Sequence, residues 1–308
     1  MKSNEFKLKA SDGTEIHVYE WLPDDNVKIS GVFQISHGMA EHALRYEDFA
    51  SFLVRNGFAV YAHDLRGHGK TAGDLENVGY ITPKKGWDDF LSDFQEIRLL
   101  IKERHHDKPY YVFGHSMGSL IIRTFLLDSK NSLNGAILSG TPENPGFIGS
   151  LGYLATKFLM LFNPHKTPSQ FMDNLSFGAF NKPFKPTRTK FDWLSRDLAQ
   201  VDKYVADPYC GGVFSVGFFH ELLRGINYLS KQKTINKTSR ELPVLIFSGE
   251  KDSVGNNGKS VAELFIRLKR SGLKDVTMKL YPDARHEMLN ETNNKEVYQD
   301  ILDWTKNH

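Results

Sequence analysis

Apolar positions along most of the chain follow two alternating rhythms. FKLKA and TEIHVYEW, either side of the turn Ser11-Asp12-Gly13, alternate with period two and predict an antiparallel hairpin. Four compact apolar runs follow: VFQIS (32–36), FAVYAH (58–63), YYVF (110–113) and GAILS (135–139). Such runs suit parallel strands covered on both faces. Between them lies helical spacing, in YEDFASFLVRN (46–56) and in WDDFLSDFQEIRLLIKERH (87–105), where Phe90, Phe94, Ile97 and Ile101 share one face. The alternation returns after residue 241 with PVLIFS (243–248), a helix through VAELFIRLKRSG, the strand VTMKLY (276–281) and the closing helix NKEVYQDILDWTK. Strands alternating with helices predict an α/β fold, a mostly parallel central sheet with helices on both faces.

From about Thr141 to Gly217 this rhythm breaks, and prolines and aromatics crowd in, Phe147, Phe158, Phe177, Trp193 and Tyr204 among them. Both ends return to the same α/β pattern, so the stretch predicts a cap, residues 141–217, inserted into one core made of 1–140 and 218–308. Within it LGYLATKFLMLF (151–162) is too short to span a bilayer. It fits a lid helix lining an acyl pocket or resting transiently on a membrane surface, and equally a helix packed on the core. NKPFKPTRTK (181–190) carries Lys182, Lys185, Arg188 and Lys190 without an acid. That run suits either an anionic contact or plain solvation.

Composition narrows the function classes. With 308 residues, 40% apolar and 25% charged, the chain can bury a large core. Its 39 basic residues nearly balance 37 acidic ones, which argues against nucleic acid as a partner. A single cysteine, Cys210, excludes an internal disulfide and fits a reducing compartment. MKSNEFKLKASDG lacks the apolar segment of a signal peptide, and no run approaches the ~20 residues of a membrane span. A soluble cytoplasmic protein is expected.

The chemistry centres on PYYVFGHSMGSLIIR (109–123), a Gly-x-Ser-x-Gly between a strand and a helix. A sharp strand-to-helix turn would hold Ser116 at a strained φ/ψ, and side chains at Gly114 or Gly118 would collide with neighbouring strands. A small helix-capping serine is the plain alternative. A reactive serine needs a base. In the order serine, acid, histidine, with the acid after PVLIFS, only His286 and the terminal His308 remain, and a frayed chain end disfavours the latter. Asp252, four residues past that strand, is the candidate acid, with Glu250 as its rival; Asp275 precedes a strand and Asp283 crowds His286. For an oxyanion, the backbone N–H of Met117 comes with the turn, and VFQISHGMAEH offers a second at Met39, where Gly38 lets the chain bend. His37 and His42 flank that turn. DLRGHGKTAG (64–73) reads as a structured loop beside the site, and His63 and His68 lack partners at metal-ligand spacing, so no metal is expected.

HGMAEHALRY, DLRGHGKT, GHSMGS, GEKDSVG and RHEMLNE, in that order, resemble the monoacylglycerol lipase and lysophospholipase branch of the serine α/β-hydrolases. The resemblance covers residues 11–140 and 241–308 and implies an α/β-hydrolase fold with an inserted cap. It implies a triad at Ser116, Asp252 and His286, with Met39 and Met117 as oxyanion amides. Two positions depart from the family: Ala40 stands where a glycine is frequent, and Lys70-Thr71 where a serine is common. The resemblance implies hydrolysis of monoacylglycerol or lysophospholipid esters through an acyl-enzyme, with a small-molecule ester as partner and no cofactor. Rival readings are a non-catalytic binding protein of this fold, or an aminopeptidase holding its substrate's amine with Glu143, Asp173, Asp192 or Asp197 in the cap.

Overall fold

A computed structural model describes residues 1–81, 85–128, 133–143, 146–162 and 164–308, with backbone alone at 147 and 148. The side chain of the expected cap aromatic Phe147 therefore lies outside the described residues.

The predicted hairpin is β1 (Lys2–Lys9) and β2 (Glu15–Leu22), antiparallel and in register from Lys2↔Leu22 to Lys9↔Glu15. Gly13 closes it at φ +90°, a conformation open to glycine. Then come β3 (Gly31–Ser36), α1 (Glu47–Arg55), β4 (Phe58–His63), α2 (Gly86–Arg104), β5 (Tyr110–His115), α3 (Met117–Phe125) and β6 (Gly135–Ser139). Beyond the insertion lie β7 (Val244–Gly249), α9 (Lys259–Arg270), β8 (Val276–Tyr281) and α10 (Asn294–Lys306). The strands form one eight-stranded sheet in the order β1-β2-β4-β3-β5-β6-β7-β8, parallel from β4 to β8.

Every residue of β3, β4, β5, β6 and β7 is buried, because helices cover both faces. Alternation then sorts side chains between two cores. Phe33, Phe113 and Phe247 pack towards α1 and α10 with Phe49, Tyr298 and Trp304. Val32, Val112 and Ile246 pack towards α2, α3 and α9 with Phe94, Ile122 and Leu264. All the parallel strands therefore end at one edge, and the loops leaving that edge carry the candidate chemistry.

Between β6 and β7 the chain runs through α4 (Phe147–Phe162), α5 (Gln170–Phe177), α6 (Leu198–Ala206), α7 (Val216–Leu229) and α8 (Gln232–Ile235). Helix α7, starting at the expected end of the cap, faces both ways. Towards the core, its Gly225 lies so close to Trp87 that a methyl group would overlap the indole. Towards α4, His220 stacks on Tyr153 at 4.7 Å and bonds Thr156 Oγ1 at 3.0 Å.

Candidate active site

Ser116 stands between β5 and α3 with φ +49° and ψ −119°, a region that a non-glycine residue enters only under strain. Its neighbours explain how the turn closes. A Cβ on Gly118 would overlap the Ser36 and His37 carbonyls at the end of β3, as the collision argument expects. A Cβ on Gly114 would instead meet the Gly118 carbonyl at 2.7 Å, so that glycine serves the turn itself more than the adjacent strand. The Ser116 N–H donates to the Ser139 carbonyl at 2.9 Å, pinning the turn to β6. Met117 is the first residue of α3, so its N–H has no partner within the helix and points from the positive end of the helix dipole.

His286 follows β8, and its Nδ1 lies 3.0 Å from Asp252 Oδ1, in the loop after β7. Asp252 is fully buried and also accepts from Ser248 Oγ at 2.6 Å and from the Val254 N–H at 2.9 Å. Burial, the largest influence, acts to raise its carboxyl pKa. The His286 charge and hydrogen bond, with the Ser248 hydroxyl and the Gly255 N–H, outweigh it and hold the group below its ordinary 3.8. For His286 burial again opposes the charge, yet the Asp252 carboxylate, with Glu287 and Glu41 behind it, moves the imidazole above its ordinary 6.5. The two loops are laced together by the Glu250 N–H to the Tyr281 carbonyl and the Lys251 N–H to the Ala284 carbonyl, each 2.9 Å.

The rival acids lie elsewhere. Glu250 is exposed, Asp283 is an exposed turn residue at φ +57°, and Asp275 pairs with His308 at 2.9 Å.

Loop 37–42 runs beside Ser116: a Cβ on Gly38 would stand 3.3 Å from Ser116 Cβ. Ser116, His286, Gly38 and Met39 line one cavity of about 330 Å³, roofed by Phe177, Phe191, Trp193 and Leu194 of the insertion. Among the described residues Ser116 Oγ has no hydrogen-bond partner, while His286 bonds Asp252 through Nδ1. The arrangement can activate a hydroxyl through a histidine whose tautomer is fixed by a buried carboxylate. Loop 37–42 and the first turn of α3 border Ser116.

Periodicity and spacing did not single out the polar groups that hold these loops. Arg45 bridges two buried carboxylates, donating to Glu41 at 2.7 Å and through both terminal nitrogens to Glu287 at 2.7 Å. Glu41 in turn accepts from the Gly38 N–H at 2.6 Å and from Tyr46 OH at 2.8 Å. One guanidinium thus ties the loop carrying Met39 to the residue next to His286. Burial pushes the Glu41 carboxyl up, with the Glu287 charge adding to it. Glu287 itself, despite burial, is held at about 2 by Arg45. The only sequence signal was the place of these residues inside HGMAEHALRY and RHEMLNE. His115 and Trp193 also pack on His286, with ring centres at 4.5 and 5.4 Å.

His37, His63 and His68 take structural roles. His37 accepts from the Leu65 N–H through Nε2 at 2.9 Å and stacks edgewise on His68 at 5.1 Å. His63 is buried against Phe94, and burial lowers its pKa to about 3. Asp64 organises the DLRGHGK loop, accepting from the Ala43 and Lys70 N–H groups at 2.9 and 2.7 Å.

The family described as serine aminopeptidase, S33, matches residues 28–293. The chain belongs to that family. It is a serine hydrolase of the α/β-hydrolase fold. Among its relatives, a monoacylglycerol lipase of Mycolicibacterium smegmatis is 28% identical over 99% of this chain and 98% of its own. The monoglyceride lipase of Homo sapiens is 27% identical over 96% of this chain and 88% of its own. The crystal structure of a thermostable carboxyl esterase from Bacillus coagulans, in complex with glycerol, superposes with a TM-score of 0.91. It covers 100% of this chain and 99% of its own at 26% identity.

Proposed function

We propose that this serine hydrolase cleaves carboxylic esters of single-chain lipids, monoacylglycerols first and lysophospholipids second. Ser116 Oγ attacks the ester carbonyl while His286 Nε2 takes its proton, and Asp252 stabilises the imidazolium. The Met39 and Met117 N–H groups receive the oxyanion. The alcohol leaves with the proton from His286, and water activated by the same imidazole releases the acid. The observation carrying this reading is the strained Ser116 and the buried His286–Asp252 pair meeting under an aromatic roof in one cavity. Phe177, Phe191 and Trp193 suit an acyl chain, whereas Gln170, Asn174 and Asn181 in the same lining suit a hydroxylated head group.

Residues 141–217 act as the cap in this reading. Leu151, Leu154, Phe158, Leu161 and Phe162 stand out on α4 with exposures from 49% to 75%, on a face suited to a lipid surface. No helix among the described residues is long and apolar enough to cross a membrane. Monoacylglycerols of increasing chain length, lysophospholipids and short nitrophenyl esters, each given to the purified protein, test the assignment. A long-chain preference supports it, and faster turnover of short acetates than of every lipid ester overturns it. Replacing Leu154 and Phe158 by serine is expected to reduce vesicle binding while leaving hydrolysis of soluble esters unchanged.

The family description itself raises peptide-bond cleavage. Of the four acids that could hold a substrate amine, only Asp173 lines the cavity. Glu143 is taken by Arg123 and Arg267, Asp192 by the Arg188 and Thr189 backbone, and Asp197 by the start of α6. Aminoacyl amides added to the panel separate the two readings, and Asp173→Asn would abolish amidase activity selectively.

A further inference from the structure

Where the inserted segment meets loop 37–42, a cluster of three different metal-ligating side chains comes together from two distant parts of the chain. His42 Nε2 lies 2.8 Å from Asp207 Oδ2, and Cys210 Sγ completes a set whose ligand atoms all fall within 4.8 Å of one another. Among the described residues this is the one such group. The geometry points to a regulatory binding site for a borderline-soft divalent cation, Zn²⁺ foremost, held by His42, Asp207 and Cys210.

Four features support the assignment. Imidazole, carboxylate and thiol together form a donor set that favours zinc over magnesium or calcium. Tetrahedral zinc separates its ligand atoms by about 3.3–3.8 Å, as bond lengths of 2.0–2.3 Å require, so an opening of the His42–Asp207 pair and a small approach by Cys210 suffice. The backbone already fixes two of the three: the Cys210 N–H donates to the Asp207 carbonyl at 3.1 Å, and the Tyr209 N–H to Asp207 Oδ1 at 2.9 Å. An open groove lined by His42, Arg45, Glu47, Asp48, Lys203 and Asp207 gives the ion a route in.

Charge is the main opposing factor. Arg45 stands near the thiol, but its guanidinium is matched by Glu41 and Glu287, so the surroundings with Asp207 remain net negative. Burial keeps the free thiol protonated, so binding must release that proton to solvent as the Zn–S bond forms. The ion would lock a contact that already exists: Tyr204 OH and the Gly211 N–H both donate to the Ala40 carbonyl, at 2.8 and 3.0 Å. Ala40, Tyr204 and Gly211 line the catalytic cavity, so the bound cation restrains its wall and slows turnover of bulky esters.

The test uses the full chain stripped with EDTA. Titration with Zn²⁺, followed calorimetrically, is expected to show one equivalent bound, with protons released. Co²⁺ in its place is expected to give a thiolate-to-cobalt charge-transfer band in the near ultraviolet. Cys210→Ser should keep metal-free ester hydrolysis, lose that band and weaken Zn²⁺ binding by about tenfold or more. His42→Gln should weaken binding similarly. Binding undiminished in both variants, or a cobalt spectrum without the thiolate band, overturns the proposal. So does zinc binding that disappears with His286→Ala, which would move the ion to the triad. None of these outcomes depends on which ester the enzyme prefers.

Discussion

Two histidine–aspartate pairs of nearly equal length sit at opposite edges of the same sheet. His286 and Asp252 meet at 3.0 Å beyond the carboxyl ends of β8 and β7. His308 and Asp275 meet at 2.9 Å, where Asp275 precedes β8 and His308 ends the chain. Distance does not distinguish them; their surroundings do. The first pair is 3% and 0% exposed and the second 16% and 44%. Asp252 has Ser248 and the Val254 N–H to hold its charge, and His286 opens onto the cavity of Ser116. His308 instead turns its other nitrogen onto the Trp304 carbonyl of α10. Burial fixes one geometry for the first pair and sets it beside the proposed nucleophile, whereas the second stays a surface contact.

The sharpest break of this comparison is substitution on both sides. Ser116→Ala, Asp252→Asn and His286→Ala should each lower kcat by about 10⁴-fold or more, and combining them should add little. His308→Ala and Asp275→Asn should stay within about twofold of the parent. A comparable loss from the second pair, measured on one nitrophenyl ester, would erase the distinction.

The support of the first pair comes next in size. Glu41→Ala frees the Gly38 N–H and leaves Arg45 with Glu287 alone. Its kcat should fall by about 10–100-fold with KM little changed, because the loop carrying Met39 loses its anchor. Stability should drop by about 3 kcal/mol, the scale for breaking a buried ion pair, as urea unfolding would record. Unchanged kcat in a destabilised protein would make Glu41 structural only.

The smallest effect is on the pH profile. With the neutral imidazole as the proposed base, and with the Asp252 carboxylate raising the His286 pKa against its burial, kcat/KM should fall on acidification with a midpoint above 6.5. The residual activity of Asp252→Asn should show that midpoint moved down, since the stabilising charge is gone. A parent midpoint below 6.5 would contradict the buried pair as described.

Much of the core was legible because its rules are local. Strand rhythms predicted β2 to β8 to within two residues, and VTMKLY coincides with β8, whereas β1 begins four residues before FKLKA, α4 begins four before LGYLATKFLMLF, and α7 was not predicted. Chain order was enough to set Asp252 above Asp275, but only burial separates Asp252 from the exposed Glu250 two residues away. The second guanidinium-linked cluster, Arg123, Glu143 and Arg267, was equally hidden. It ties the start of the insertion to α3 and α9, and Arg267 also holds the Leu229 and Ser230 carbonyls at its end. No periodicity announces such a contact, because its members are 20 and 124 residues apart.

By itself, then, the sequence determined the alternation of elements, the glycine-flanked turn at Ser116 and the order serine, acid, histidine. These depend on backbone conformations and spacings that a few neighbouring residues impose. Tertiary structure alone decided that Glu41, Arg45 and Glu287 couple the two loops, that aromatic residues of the insertion roof the cavity, and that His42 meets Asp207 and Cys210. The reason is physical. The cost of burying a charge, and the gain from pairing it, depend on groups that folding brings from far along the chain, and no local pattern encodes which ones will arrive.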